Sequence, residues 1–563
     1  MLEKSDYTAI PQGLNETEVV RSKASIKAHK RQQYLLYIVG IWAVITTILA
    51  TYSFSVNSQS IKETLKSCSL KDQQDNYADL NSLSKRSAFR QRKRNLIFMV
   101  SDGMGPASLS LTRSYRQFTQ NLPIDDILTL DKNLVGSHRT RSSNSLVTDS
   151  AAGATAFACG IKTYNNGVSI HPDTKAPCGN VLEAAKKAGY TTGMVVTTEI
   201  TDATPAAFSS HVKKRYDKDI IAQQQLGDYP LERVVDLMIG GGRCNFLPKS
   251  KGGCRNDELD LVEKAKSDGW TYFDDLTGFK SLQSGENVTL PLLGLLASTD
   301  IPYEIDRNSS VHPSLEDTTK TALRALALAS EDNDQGFFVL IEGSRIDHAG
   351  HSNDPAAQVR EVLAYDRAFQ AAIDFANESD TETIIISTSD HETGGLSVAK
   401  QLDPEIYPPQ LWIPEVLANI THSGEYLAKT LKNFNGTAEA LNTFVTKNIL
   451  LEGLGVKNIT QTQVDDLTKN KEDAIETIVQ IMGNNAQIGW ATHGHSAVDV
   501  NVYAYAKNSY VMDNIIKSRL VGNHENTDIG LFMADYLDVD LKEISKELAK
   551  TPFKTSSGLY DNK

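Results

Sequence analysis

The fold class of this 563-residue chain is decided by the stretch Asn95-Leu-Ile-Phe-Met-Val-Ser-Asp102-Gly103-Met104-Gly105. A continuous hydrophobic run of this length predicts a strand that is buried on both faces, as in parallel sheets. Open α/β sheets bind their ligands at the carboxyl ends of such strands. Asp102 is therefore a candidate ligand-binding residue, and the alternative is an ordinary turn or capping residue.

The same pattern of a hydrophobic run followed by an acid occurs twice more. Residues 336–341 run into Glu342, and residues 383–389 run into Asp390, which His391 follows. Three such strand ends predict an α/β fold with a central, mostly parallel sheet flanked by helices.

A serine lies among small residues in the segment Thr148-Asp149-Ser150-Ala-Ala-Gly153-Ala-Thr-Ala156. Residues 151–159 predict a helix, and the amino end of a helix favours an anion because its N–H groups are free there. Gly153 allows the backbone to approach a neighbour closely. Ser150 is thus a candidate nucleophile toward a phosphorylated group, and the alternative is that it only caps the helix.

Two further segments carry histidines at spacings typical of metal ligands. Asp347 and His351 are four residues apart with His348 between them, so one helical turn can direct the acid and the second histidine to one ion. Near the carboxyl end, either His493 or His495 could complete the set.

The residue types indicate which ions would bind. Mixed imidazole and carboxylate ligands favour zinc, whereas an all-oxygen set that includes Asp102, Glu342 and hydroxyl groups favours magnesium. Two ions about 4 Å apart can stabilise the attacking and leaving oxygens of an in-line displacement. The constellation therefore predicts phosphoryl transfer.

These motifs, in this order, closely resemble those of the alkaline phosphatases. The resemblance covers about residues 95–535 and also includes residues 201–206, 240–243 and 492–495. It implies the alkaline phosphatase fold and a homodimer. It also implies hydrolysis of many phosphate monoesters, from small molecules and possibly proteins, through a phosphoserine at Ser150. With its N-terminal hydrophobic segment, the chain looks most like the fungal vacuolar members.

The resemblance implies a role for each matching residue. The first zinc would be bound by Asp347, His351 and His495, and the second zinc by Asp102, Asp390 and His391. Magnesium would be bound by Asp102, Thr204 and Glu342, with Asp202 in or beside that set. Arg215 follows Asp202 at the family's spacing for the arginine that grips phosphate; on sequence alone it would be a solvated charge.

Two histidines are placed less directly by the resemblance. His495 is preferred to His493 as the last ligand because residues 499–505 follow it at the distance of the family's final strand. His493 would then lie beside the ligands or near the entrance. His348 would tune the magnesium site together with Asp202, although relatives differ at this position.

Two other functions compete with this interpretation. A phosphodiesterase or a sulfatase on the same scaffold is the enzyme alternative, but a sulfatase would be expected to carry a modified cysteine where Ser150 lies. A membrane-anchored phosphate-binding protein is the non-enzyme alternative, and a missing ligand would favour it. The net charge of −13 argues against nonspecific binding of nucleic acid.

The N-terminal region predicts a membrane anchor. The 23 residues 34–56 are largely apolar, long enough to span a bilayer, and too long and too far into the chain for a cleaved signal peptide. Basic residues cluster shortly before them, namely Arg21, Lys23, Lys27, Lys30 and Arg31. The positive-inside rule therefore predicts a cytosolic tail over residues 1–33 and places the enzyme in a lumen. The resemblance implies that this is the lumen of the vacuole.

Four further segments complete the predicted organisation. Residues 57–94 form a polar stalk and residues 95–545 the catalytic domain. Within that domain, residues 400–490 or so form an insertion over the site that also bears on the dimer. Residues 546–563 form a flexible tail.

Sequons and cysteines agree with a lumenal domain. Six candidate glycosylation sites head an Asn-x-Ser/Thr motif: Asn287, Asn308, Asn377, Asn419, Asn435 and Asn458. Asn15 also heads one but lies on the cytosolic side. Of the five cysteines, the close pairs Cys159/Cys178 and Cys244/Cys254 are the economical disulfides, which leaves Cys68 odd. Sequence alone does not establish this pairing.

Overall fold

The computed structural model describes residues 93–550 and the backbone of residues 554–555 and 558–559. The predicted cytosolic tail, the membrane anchor, Cys68 and almost all of the stalk lie outside these residues. Among the described residues, no helix is both long enough and apolar enough to cross a membrane.

The strands are numbered in chain order. They are β1 Arg94–Val100, β2 Leu134–Arg139, β3 Thr191–Glu199, β4 Leu237–Gly241, β5 Thr271–Phe273, β6 Leu292–Leu295, β7 Phe337–Glu342, β8 Glu382–Thr388, β9 Glu392–Thr393, β10 Ser397–Val398, β11 Ile488–Gly489, β12 His495–Ser496, β13 Val500–Ala506, β14 Gly522–Glu525, β15 Lys554–Thr555 and β16 Gly558–Leu559.

Ten of these strands form one sheet in the order β14-β2-β13-β8-β1-β7-β3-β4-β6-β5. Within this sheet, β13 runs antiparallel to both of its neighbours, and the remaining pairs are parallel. The predicted mostly parallel sheet is therefore confirmed. Three two-stranded ribbons pair β9 with β12, β10 with β11, and β15 with β16.

The α-helices are also numbered in chain order. They are α1 Pro106–Thr119, α2 Thr129–Lys132, α3 Ser150–Cys159, α4 Val181–Lys187, α5 Ala203–Ser209, α6 Lys218–Gln225, α7 Leu261–Ser267, α8 Leu276–Ser281, α9 Leu315–Ala329, α10 Arg345–His351, α11 Pro355–Glu378, α12 Pro414–Asn419, α13 Gly424–Lys432, α14 Ala438–Phe444, α15 Gln461–Lys469, α16 Ile475–Ala486, α17 Lys517–Leu520, α18 Asn526–Leu537 and α19 Leu541–Leu548. Short 3₁₀ segments span Arg243–Phe246, Lys249–Lys251, Gln283–Gly285 and Lys471–Asp473, and π-helices span Val445–Gly453 and Val511–Ile516.

The sheet is covered on both faces, and strand β1 shows why. Because successive side chains of a strand point to opposite faces, Phe98 packs into one hydrophobic cluster and Met99 into another. Phe157 of helix α3 covers the first face, and Phe369 of helix α11 covers the second. Every residue of β1 is buried, which is the pattern that its continuous hydrophobic run predicted.

Residues 400–490 are mainly helical and add no strand to the ten-stranded sheet. Helices α12 to α16 bury a hydrophobic cluster of their own, which packs against Leu111 of α1 and Val359 of α11. At its end, Glu476 of α16 lies 3.3 Å from His493. This segment therefore contacts the loop that carries the candidate histidines.

Two predicted boundaries are wrong by a few residues. Strand β1 begins at Arg94, one residue inside the predicted stalk, because the buried Arg94 side chain donates to the carbonyl oxygen of Tyr536. Helix α19 continues to Leu548, three residues into the predicted flexible tail, because the Leu548 side chain is fully buried. The structure contains the disulfides Cys159–Cys178 and Cys244–Cys254, which confirms the predicted pairing.

Candidate metal centre

The three predicted strand-end acids meet at one edge of the sheet. Strand β1 lies between β7 and β8, and its last residue, Val100, is in register with Glu342 on one side and Thr388 on the other. Asp102 and Asp390 each follow two residues after these strand ends. Parallel neighbours thus bring the carboxylates of Asp102, Glu342 and Asp390 together, as their spacing predicted.

Helix α3 directs Ser150 toward the same edge. The helix begins at Ser150, one residue earlier than predicted, and its cap is Asp149, whose side chain accepts a hydrogen bond from the Ala152 N–H at 3.0 Å. The alternative that Ser150 only caps the helix is therefore wrong. A Cβ atom on Gly153 would lie 2.9 Å from the Asp390 Cβ, so the glycine allows the helix to approach an acid of the site.

One cluster of possible metal ligands contains Asp102, Asp390 and His391, all buried. The Nε2 atom of His391 lies 3.2 Å from Asp390 Oδ2 and 3.7 Å from Asp102 Oδ1. The same nitrogen lies 3.1 Å from the hydroxyl oxygen of Ser150. The candidate nucleophile therefore borders this cluster directly.

A second cluster contains Asp347, His391 and His495, and His351 adjoins it. Within helix α10, His351 Nε2 lies 3.3 Å from Asp347 Oδ2, so the predicted convergence across one turn is confirmed. His351 Nε2 is also 3.1 Å from His495 Nε2. The His391 and His495 rings stack with centroids 3.5 Å apart, which joins the two clusters.

Each of the three clustered histidines is held through its other ring nitrogen. The Nδ1 atoms of His495 and His351 face the carbonyl oxygens of Thr148 and His493 at 2.8 and 2.5 Å. Because a carbonyl oxygen only accepts, each Nδ1 carries a proton, which leaves each Nε2 as the atom that a cation would bind.

The third histidine is fixed by a relay of two hydrogen bonds. His391 Nδ1 lies 3.2 Å from Thr393 Oγ1, which in turn donates to Asp347 Oδ1 at 2.5 Å. A hydroxyl that donates to the carboxylate accepts from the imidazole, so His391 also presents an unprotonated Nε2.

His493 lies outside both clusters. Its side chain is 57% exposed, its Nδ1 is 2.8 Å from the His351 carbonyl oxygen, and its Nε2 contacts Glu476. The preferred histidine, His495, is the one that the structure brings to Asp347, with its Nε2 at 3.6 Å from Asp347 Oδ1.

The residues present fit divalent cations. Among residues 93–550, Asp102 Oδ1, Asp390 Oδ2 and Thr204 Oγ1 are buried without a hydrogen-bond partner, and such atoms are costly unless something satisfies them. The two clusters offer mixed imidazole and carboxylate donors, which zinc prefers. Asp102, Thr204 and Glu342 offer only oxygens, which magnesium prefers.

Burial and neighbouring acids oppose the ionisation of three carboxylates of the site. Burial, together with the charges of Asp390 and Asp347, raises the pKa of Asp102 well above its usual value. Burial, followed by the charge of Asp347, raises the pKa of Asp390 to about 6. Burial, with the charges of Asp202 and Asp390, raises the pKa of Glu342 to about 8. Cations would relieve this repulsion.

Metal-free protein is therefore expected to lose stability as the pH rises from about 6.5 to about 9. Burial raises the folded-state pKa of Glu342 from 4.5 to about 8. Although burial lowers the pKa of His351, the hydrogen bond and the charge of Asp347 raise it from 6.5 to about 9. Each folded group keeps a proton that the unfolded chain releases, so its stabilisation is lost as the pH passes through the folded value. For Glu342 the loss begins above pH 4.5 and totals about 3–5 kcal/mol, of which about 2 kcal/mol falls between pH 6.5 and 8.

Unfolding by urea with a chelator, measured across this range, checks the expectation. Burial lowers the pKa of His138 to about 4, so this histidine affects stability only below the range. Protein loaded with zinc and magnesium should show a smaller decline, because cations would replace the protons of the site. Glu361 and His211, whose pKa values are also raised, lie outside the ligand clusters and contribute to the decline of both forms. Equal pH slopes for metal-free and metal-loaded protein would contradict the assignment.

Arg215 lies between two acids beside the serine. Its Nη2 is 3.3 Å from Asp202 Oδ1 and its Nη1 is 3.6 Å from Asp149 Oδ2, with the side chain 18% exposed. Although burial opposes it, the charges of Arg215 and Lys218 lower the pKa of Asp202. Arg215 is thus part of the site, not a solvated charge.

Sequence reasoning missed several neighbours of the site. Thr393 lies only two residues after His391, so its hydroxyl could have been noticed as a neighbour of that histidine. Lys218 follows Arg215 by three residues but looked like one more basic residue in a charged run. His348 Nδ1 lies 3.5 Å from Asp300 Oδ2, and no local pattern indicated this acid.

Known proteins resemble this chain over most of its length. The sequence model of the alkaline phosphatase family matches residues 93–539. The repressible alkaline phosphatase of Saccharomyces cerevisiae is 53% identical over 84% of this chain and 86% of its own length. The alkaline phosphatase of Schizosaccharomyces pombe is 46% identical over 84% of this chain and 86% of its own length.

Solved structures agree with the sequence match. The Thermus thermophilus alkaline phosphatase superposes with a TM-score of 0.67 at 26% identity, over 82% of this chain and 96% of that one. The cold-active enzyme of a Shewanella species gives a TM-score of 0.64 at 28% identity, over 79% of this chain and 99% of that one. The chain therefore belongs to the alkaline phosphatase family and is an enzyme of that family.

Proposed function

We propose that this protein hydrolyses phosphate monoesters in a lumen through a phosphoserine at Ser150. Two zinc ions would be held by Asp347, His351 and His495 and by Asp102, Asp390 and His391. One magnesium ion would be held by Asp102, Thr204 and Glu342, beside Asp202. Dependence on metal ions is a property of the family, and the two ligand clusters support these assignments.

The residues would act in two displacements. The Ser150 hydroxyl releases its proton to solvent as its oxygen forms a bond to phosphorus. The bond between phosphorus and the alcohol oxygen breaks at the same time, and the alcohol leaves with a proton from solvent. A water molecule then forms a bond to phosphorus while the bond to Ser150 breaks, and one proton of that water passes to the Ser150 oxygen as inorganic phosphate is released. Arg215 offers two N–H groups to the phosphate oxygens, which it can grip together. When bound, the metal ions lower the pKa of hydroxyl groups and offset charge on oxygen.

One observation carries this proposal. The Ser150 hydroxyl is 3.1 Å from His391 Nε2, the nitrogen that also faces two carboxylates with unpartnered oxygens. A serine that borders a metal-ligand cluster at a helix amino end suits attack on an anionic group.

The test is hydrolysis of a chromogenic phosphate monoester by the purified protein, after chelation and after addition of zinc and magnesium. Activity that is lost on chelation and returns with both metals supports the proposal. A matched phosphodiester and a sulfate ester serve as controls for the two enzyme alternatives. The proposal would be overturned if either control ester were hydrolysed faster than the monoester. It would also be overturned if the metal-loaded protein hydrolysed none of the three esters.

The proposal includes a type II membrane topology. The apolar segment 34–56 would cross the membrane of the vacuole and place the catalytic domain in its lumen. Two disulfides in the described residues support an oxidising compartment.

We expect N-linked glycans on the lumenal domain. All six sequon asparagines in the described residues are exposed: Asn287, Asn308, Asn377, Asn419, Asn435 and Asn458. Enzymatic deglycosylation of protein from a eukaryotic host should lower its mass, and substitution of all six by glutamine should remove that shift. Asn15→Gln is the matched control and should change nothing. An unglycosylated protein would contradict the lumenal placement.

The proposed assembly is a homodimer with a broad substrate range. Light scattering on the detergent-solubilised protein measures the first property. Turnover of several unrelated monoesters, including a phosphopeptide, measures the second.

A further inference from the structure

Lys218, the first residue of helix α6, lies beside the arginine of the site. Its ammonium group forms an ion pair with Glu199 and lies 4.0 Å from Asp202 Oδ1. The side chain is 32% exposed, so it is partly enclosed by the acids that it contacts.

Arg215 and Lys218 share one carboxylate oxygen. Asp202 Oδ1 is 3.3 Å from Arg215 Nη2 and 4.0 Å from Lys218 Nζ. An arginine that is fully engaged by a carboxylate has fewer N–H groups to offer to phosphate. A second cation on the same oxygen weakens the hold of Asp202 on Arg215.

Glu199 is itself anchored, and this fixes the position of Lys218. Asn245 Nδ2 lies 2.9 Å from Glu199 Oε2 and 2.9 Å from Thr201 Oγ1. The Glu199 N–H donates to Asp300 Oδ1 at 3.2 Å. Asn245 is next to Cys244, whose disulfide with Cys254 closes the loop. The Lys218 ammonium is therefore held at a defined place.

We propose that Lys218 is a positioning residue for phosphate binding, which holds part of the charge of Asp202 and so leaves Arg215 available to the phosphate group. This inference rests on the proposed function, because it assumes that Arg215 binds phosphate. Lys218 need not touch the substrate; it acts through Asp202.

The experiment compares Lys218→Gln and Lys218→Arg with the full-length wild-type enzyme. In Lys218→Gln, the inhibition constant of inorganic phosphate and the KM of a monoester should rise by about tenfold, with a smaller change in kcat. Lys218→Arg keeps the charge and should stay within about threefold of wild type. Lys214→Gln removes an exposed lysine from the same segment and is the matched control, with no more than about a twofold change.

A readout without turnover separates binding from chemistry. Calorimetric titration measures the affinity of metal-loaded Ser150→Ala protein for inorganic phosphate. This affinity should fall by the same factor in the Ser150→Ala, Lys218→Gln double variant. Thermal unfolding of each variant checks that the fold is retained. If Lys218→Gln does not fold, Lys218→Met can replace it as the neutral variant and be compared with the positively charged Lys218→Arg.

A double-mutant cycle tests the route through Asp202. In an Asp202→Asn background, Lys218→Gln should change phosphate affinity by less than about twofold, because the charge it offsets is gone. Equal losses in both backgrounds, or unchanged phosphate affinity in Lys218→Gln, would overturn the proposal while the proposed function stands. A wild-type enzyme that neither hydrolyses monoesters nor binds phosphate would overturn both.

Discussion

Replacing Ser150 with alanine is expected to lower kcat/KM for a phosphate monoester by at least about 10³-fold. The residue lies at the first position of helix α3, and its oxygen is 3.1 Å from His391 Nε2. The substitution leaves every acid and histidine of the two ligand clusters in place, so metal content should stay unchanged. Steady-state kinetics and elemental analysis on the same preparation measure both quantities.

Ser143→Ala is the matched control for this substitution. Ser143 lies in the loop before the helix, is exposed, and loses the same hydroxyl group. It should keep wild-type activity. If Ser150→Ala retained more than about a tenth of the activity, the nucleophile would lie elsewhere.

Substitution of His391 by glutamine is expected to have the second large effect, because this residue belongs to both ligand clusters. Loss of its Nε2 should lower the zinc bound per chain and reduce kcat/KM by at least about 10³-fold. The relay through Thr393 to Asp347 would be lost as well, so both ion positions should weaken. Zinc titration of metal-free protein measures the affinity directly.

His493→Gln is the informative comparison. The His493 side chain faces Glu476 outside both clusters, so this variant should keep its zinc and most of its activity. Full zinc content in His391→Gln, or zinc loss in His493→Gln equal to that in His391→Gln, would contradict the ligand assignment.

The strand-end acids could be predicted because local sequence determines their position. Asp102, Glu342 and Asp390 each follow a hydrophobic run, and parallel strands bring their carboxyl ends to one edge. The convergence of Asp347 and His351 could be predicted for a similar reason, since one helical turn brings the two side chains together.

Other parts of the site depend on contacts between distant segments. The preference for His495 over His493 is supported by the pairing of His495 with Thr393 across two short strands, which no local pattern indicates. Arg215 joins the site only because Asp149 and Asp202 converge on it. The reversed direction of strand β13 likewise follows from its place between β2 and β8.

The most direct test of a metal-held serine nucleophile is to trap the intermediate. The wild-type enzyme, loaded with zinc and magnesium, is mixed with a phosphate monoester and quenched with acid during turnover. Peptide mapping by mass spectrometry then locates any added phosphoryl group. We expect it on Ser150, and only when metals are present. Steady turnover with no phosphoryl group on Ser150, or with one on another residue, would contradict the account.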